Sequence, residues 1–156
     1  DWFDVIHWSE RPLRKDWYHP RSDDREVAYV WSVEHEYAGC PDIIGEIGGV
    51  KVIADFKTSN APYMNTFPDR GDRMGFGGFR KYQKCAQQMA AYRLALEERT
   101  GYRCDVALII ATTPETTQGI FIDGDQMDLY ESRFIKRAKM FHDIDKETNE
   151  TEGISQ

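Results

Sequence analysis

Two short apolar runs, Ile43-Ile44 to Ile47 and Val50 to Phe56, stand on either side of Gly48-Gly49. A Gly-Gly link between such runs predicts a β-hairpin, because both central residues of the tight turn take positive φ. With Ile47 opposite Val50, Glu46 faces Lys51, Ile44 faces Ile53 and Asp42 faces Asp55. Hydrogen-bonded and open pairs alternate outward from the turn, so Asp42 and Asp55 form an open pair with Cα atoms about 4.5 Å apart. Upstream, Glu26 to about Tyr37 is rich in Val, Tyr and Trp and reads as a strand. The polar stretch 9–25 holds Pro12 and Pro20 and reads as a loop, whereas the opening DWFDVIHW reads as the last turns of a helix.

Downstream the period changes. Cys85, Met89, Tyr92 and Leu96 recur at helical spacing within Phe79 to Arg99, and Gly101 is a stop signal. Lys84, Gln88 and Tyr92 form the neighbouring stripe. Tyr102 to Thr112, with the run VALIIAT, predicts a buried strand, and Gly119 to Ile122 a shorter one. Asp125 is placed to cap a last helix with Met127, Tyr130, Phe134, Ala138 and Phe141 on one face. The long connection from Thr58 to Gly78 is rich in Gly and Pro. The segment reads equally as a disordered insertion or as one whose Tyr63, Phe67 and Phe76, with Arg70 and Arg73, stack on bases and hold phosphates of a single strand.

The hairpin brings two like charges together, which destabilises a sheet unless a cation intervenes or a carboxyl pKa rises. Lys57, two residues after Asp55, points to the same face. Two carboxylates beside one ammonium suit a hard divalent cation that takes its remaining ligands from water and substrate phosphate. The lysine can orient or deprotonate a water, or neutralise charge developing on phosphorus.

Pro41-Asp42 followed by Asp55-Phe56-Lys57 resembles the signature of the PD-(D/E)XK nuclease superfamily. Gln88-Met89-Ala90-Ala91-Tyr92 resembles the Gln-x-x-x-Tyr element of its RecB-type branch. Tyr37-Ala38-Gly39 and Thr58-Ser59 are most similar to mitochondrial genome maintenance exonucleases and related phage exonucleases. The likeness runs from about Glu26 to Phe141. It implies an α/β fold: a restriction-endonuclease-like α/β/α sandwich, a mixed β-sheet flanked by helices on both faces. One nuclease domain is expected over 1–142, with the family's N-terminal helix outside the chain and an acidic, disordered tail at 143–156.

The resemblance further implies a metal-dependent DNA exonuclease that prefers single strands or free ends and leaves 5′-phosphates, in replication, repair or recombination. Its cofactor would be Mg²⁺, with Mn²⁺ able to substitute. Asp42 and Asp55 would bind metal, the Phe56 carbonyl would add a ligand, and Glu26 fits the family's glutamate on the preceding strand, with Glu34 and Glu36 as competitors. Lys57 would position and activate water, while Gln88 and Tyr92 would hold the substrate phosphate. The family's upstream histidine has one candidate in a helical remnant, His7. A structure-specific endonuclease on the same fold, and a DNA-binding domain without turnover, are the alternatives.

Composition trims this picture. The chain has 156 residues and three cysteines, Cys40, Cys85 and Cys104, so the four-cysteine iron–sulfur cluster of some RecB-type nucleases is not expected. No apolar run reaches the length of a membrane span. The expected setting is soluble: the cytoplasm of a bacterial or phage-infected cell, or an organelle in a eukaryote. The net charge of −7 opposes a generally DNA-binding surface, but residues 143–152 contribute −4 of it. Residues 79–93 carry Arg80, Lys81, Lys84 and Arg93 and no acid, so a basic patch for DNA is expected at Arg80, Lys81 and Lys84. Replication or recombination proteins are possible further partners.

Overall fold

A computed structural model describes residues 2–10, 13, 14, 17 and 29–153. The hairpin is present as predicted. Strand β4 (Ile43–Ile47) and strand β5 (Val50–Thr58) pair in the expected register, with Ile47 opposite Val50, Glu46 opposite Lys51 and Ile44 opposite Ile53. Gly48 and Gly49 turn the chain at φ 58° and 77°, a region that a side chain would strain. Chain order continues with helix α1 (Arg73–Thr100), strand β6 (Val106–Thr112), strand β7 (Thr117–Ile122) and helix α2 (Gly124–Gly153).

Among the described residues three strands precede the hairpin, arranged otherwise than the sequence indicated. The opening segment is strand β1 (Val5–Ser9), paired antiparallel with β4, and not the end of a helix. An eight-residue aromatic segment carries too few periods to distinguish the two, and its partner lies far along the chain. The single strand expected over Glu26 to Tyr37 is instead a small hairpin among the described residues, β2 (Val30–Ser32) and β3 (Tyr37–Gly39). Its tight turn ends at Glu36, a non-glycine residue at φ 54°.

The main sheet has the order β1-β4-β5-β6-β7. It is mixed: β5 and β6 run parallel through the α1 crossover, and the remaining pairs are antiparallel. Side chains alternate across the central strands. Ile53, Ala107, Ile109 and Ala111 join the core formed with α1 and the start of α2, while Val52, Ala54, Leu108 and Ile110 form a second cluster with Phe3, Ile43, Ile47 and Val106. Both helices thus cover the same face. Among the described residues no helix covers the other, so the expected helices on both faces are not seen there; Phe3 packs on that side.

The first helix begins six residues earlier than its periodicity suggested. Asp72 caps it by accepting a hydrogen bond from the Gly75 amide at 2.8 Å. The glycines that suggested loop serve close approach instead. A Cβ on Gly75 would lie 2.1 Å from the Asp72 carboxylate, and one on Gly78 would lie 2.6 Å from the Pro62 carbonyl oxygen. The helix stops at Gly101, left-handed at φ 70°, whose amide reaches the Glu97 carbonyl. At the second helix, Asp123 rather than Asp125 accepts from a first-turn amide, that of Gln126 at 2.8 Å. This helix runs on to Gly153, through the acidic segment expected to be a disordered tail. Its apolar face is buried at Met127 and Tyr130 but thins out to 67% exposure at Phe141.

The helices are joined by a charge network with a buried centre, Arg93 and Glu131. Arg93 is 1% exposed. Its Nε donates to Glu131 at 2.6 Å, and Nη2 meets Asp128. Arg103 reaches the same two acids at 3.2 and 2.8 Å. Removing one partner of such a pair leaves an uncompensated buried charge. Arg93→Met is therefore expected to destabilise the fold by about 3 kcal/mol, the low end of that effect because Arg103 remains beside Glu131. Urea unfolding measures it, and pairing the substitution with Glu131→Leu should recover part of the loss.

Candidate functional site

The site is built where β5 passes under α1. Asp55 is 3% exposed and lies on the helix-facing side of the sheet. A carboxylate buried this far needs donors, and two converge on its Oδ2: the Lys57 ammonium and the Cys85 thiol, the latter at 3.4 Å. Burial raises the Asp55 pKa, against the lowering effect of Lys57 and Cys85. For Lys57, burial alone pulls the pKa down, but the hydrogen bond and charge of Asp55 more than offset it, and the net shift is upward. Lys57 is accordingly an ammonium at neutral pH: it can hold an anion or orient water, but it is not a ready base.

From Lys57 the polar chain continues outward. Its Nζ donates to Gln88 Oε1 at 3.2 Å, and Gln88 Nε2 donates to the Tyr92 hydroxyl at 2.6 Å. Helical spacing of four residues puts Gln88 and Tyr92 on one face of α1. Tyr92 fits because Gly39 has no side chain; a Cβ there would lie 2.0 Å from its ring. Tyr37 ties the small hairpin to the same helix by donating to the Ala91 carbonyl at 2.7 Å. Asp55, Lys57, Gln88 and Tyr92, picked out separately in the sequence, thus form one connected row.

Asp42 stands at the edge of this row. The strand pairing ends at Ile43 opposite Ala54, and the next position in the same register sets Asp42 opposite Asp55. Asp42 Oδ2 reaches across to accept from the Phe56 amide at 2.7 Å, which also anchors Phe56 at the site. The Phe56 ring points to the opposite face and is 51% exposed. Among the described residues no three His, Cys, Asp or Glu side chains gather into a metal-holding group. Glu26 lies outside the described residues. Its competitors Glu34 and Glu36 sit in the turn between β2 and β3, with side chains 77% and 64% exposed.

His7 belongs elsewhere. It sits on β1 and not on a helix, 3.0 Å from Glu46 and packed against the Trp17 and Tyr102 rings. Glu46 is four residues along β4 from Asp42, about 13 Å at strand rise. The basic patch also differs from expectation. Arg80, Lys81 and Lys84 are all exposed, but they border three different depressions, and Lys81 is tied to Ser59 Oγ at 2.7 Å. Arg93, counted with them in the sequence, is buried and paired. Tyr63, offered by the sequence for stacking on bases, is 8% exposed, with its backbone held by Gln118 at 2.9 Å.

One contributor escaped the sequence reading: Cys85 looked like one more core position in its stripe, and its signal was its place three residues before Gln88. Gly39 stood out only as part of Tyr37-Ala38-Gly39, with nothing in the sequence to tie it to Tyr92.

The thiols give a direct check on this packing. Burial pushes the Cys104 pKa up to about 12, and burial followed by the Asp55 charge pushes Cys85 higher still. Cys40 is partly exposed. In the folded protein at pH 8, a thiol-reactive disulfide reagent is expected to titrate Cys40 alone, with Cys85 and Cys104 reacting only after unfolding; rapid reaction of all three would show that the helix does not seal Asp55. No protein-family model and no curated protein matches the chain.

Proposed function

We propose that the chain is a metal-dependent DNA exonuclease of the PD-(D/E)XK type, acting on single strands or free ends. The observation that carries the proposal is the row Asp55–Lys57–Gln88–Tyr92, with Asp42 at its edge. Residues that resemble a nuclease motif are here joined by hydrogen bonds from strand to helix. The five-stranded mixed sheet and its two helices are compatible with the α/β class to which such nucleases belong.

The donor set fits a hard divalent cation. Among the described residues, Asp42 and Asp55 are each engaged through Oδ2, and these two carboxylates with the Phe56 carbonyl would hold Mg²⁺ or Mn²⁺. Such an ion, when bound, lowers the pKa of a bound water and offsets charge on the phosphate. The protein's own share follows from the geometry. Lys57, held as an ammonium by Asp55, orients the attacking water or offsets charge growing on the phosphate oxygens. Gln88 and Tyr92 hold the substrate phosphate, and Gly39 gives Tyr92 the room to do so. Arg80, Lys81 and Lys84, each bordering its own depression, would meet separate phosphates of the DNA backbone.

The test uses end-labelled linear and covalently closed circular single-stranded DNA, in Mg²⁺, Mn²⁺ and EDTA. Metal-dependent loss of the linear form alone is expected; cutting of the circle would move the reading to an endonuclease on the same fold. Asp55→Ala and Lys57→Ala should each lower cleavage by about 10²-fold or more while leaving the cooperative unfolding transition in place, since the removed groups act on developing charge. A fully active Lys57→Ala protein would contradict the assignment.

A further inference from the structure

A cavity of about 570 Å³ opens between the small β2–β3 hairpin, α1 and α2, in the range of small-molecule sites, about 300–1,000 Å³. Gln88 and Tyr92 form one of its walls, so it continues directly from the row described above. Its depth is aromatic: Tyr37 and Phe134 meet edge to face, ring centroids 4.7 Å apart, which holds both rings in place. Phe141 stands at the mouth, 67% exposed, an apolar ring left in water in the isolated chain.

Cations border the same opening. Lys84 and Arg137 are both exposed on its rim, and Arg137 is steadied by Gln87 Oε1 at 2.9 Å. The acid in the lining, Glu36, lies 3.5 Å from His142 Nδ1. An apolar, ring-lined interior with cations at the mouth complements a ligand with a flat π face and an anionic backbone.

We propose that this cavity receives one unpaired nucleotide of a DNA strand, its base against Phe141 and the inner rings and its flanking phosphate toward Lys84 and Arg137. The proposal rests on the nuclease reading for the identity of the strand, and it supplies that reading with a source of single-strand preference. A base in a duplex is stacked on both sides and paired, so it cannot enter without being unstacked.

Binding is measured in EDTA, where no metal-dependent cleavage competes, by fluorescence anisotropy of end-labelled decathymidylate and of a decamer of abasic residues with the same phosphates. Phe141→Ala, at an exposed position, should weaken decathymidylate binding about tenfold, within the range for loss of one base–aromatic stack. The abasic decamer should bind the wild-type chain about tenfold less tightly than decathymidylate, with no further loss on Phe141→Ala. Lys84→Gln should weaken both strands and lower the salt slope by about 0.7. Equal affinity for the two decamers, a change below twofold on Phe141→Ala, or no binding by the wild-type chain overturns the proposal. Binding that follows this pattern without any cleavage in Mg²⁺ would sink the nuclease reading and leave the nucleotide site standing.

Discussion

A carboxylate buried to 3% exposure is stable only if the fold surrounds it with donors, and the placement of Asp55 sets that demand at the centre of this protein. Its donors come from two elements. Lys57 reaches back along β5, and Cys85 reaches down from α1, so the contact cannot form until helix and hairpin are packed. Gln88 and Tyr92 then take their positions from Lys57, and Gly39 takes its identity from Tyr92. Strand, helix and small hairpin are thereby held to one another by the same polar row that offers the candidate chemistry.

The hairpin was legible because Gly48-Gly49 permits one register, and a register carries every side chain with it. The Gln88 and Tyr92 stripe was legible because helical spacing is a strong local signal. What was not legible depended on distant partners. The pairing of β1 with β4 has no trace in the eight residues that open the chain, and Glu36 at φ 54° shows no glycine or asparagine to mark its turn. Gly75 and Gly78 look like loop residues until Asp72 and Pro62 are seen against them. Cys85 and Arg93 mislead in the same way: one looks apolar and meets a carboxylate, the other looks like surface charge and is buried between helices.

Charge follows the same lesson. Net charge and local counts describe composition, whereas binding depends on where each cation ends up. With Arg93 committed to Asp128 and Glu131, the positive charge near the row is carried by separate side chains around it, and Lys84 lines the aromatic cavity together with Gln88. That arrangement suits contact with a few phosphates of a strand more than neutralisation of a long duplex.

If the face shared by Asp42 and Asp55 binds the cation of a phosphodiester-cleaving site, Mn²⁺ bound there is visible by electron paramagnetic resonance in the presence of an uncleavable phosphorothioate oligonucleotide. Bound Mn²⁺ is expected in the wild-type chain and its loss in both Asp42→Asn and Asp55→Asn, with folding retained. Binding unchanged by either substitution, or none in the wild-type chain with the oligonucleotide present, would contradict cation binding at this face.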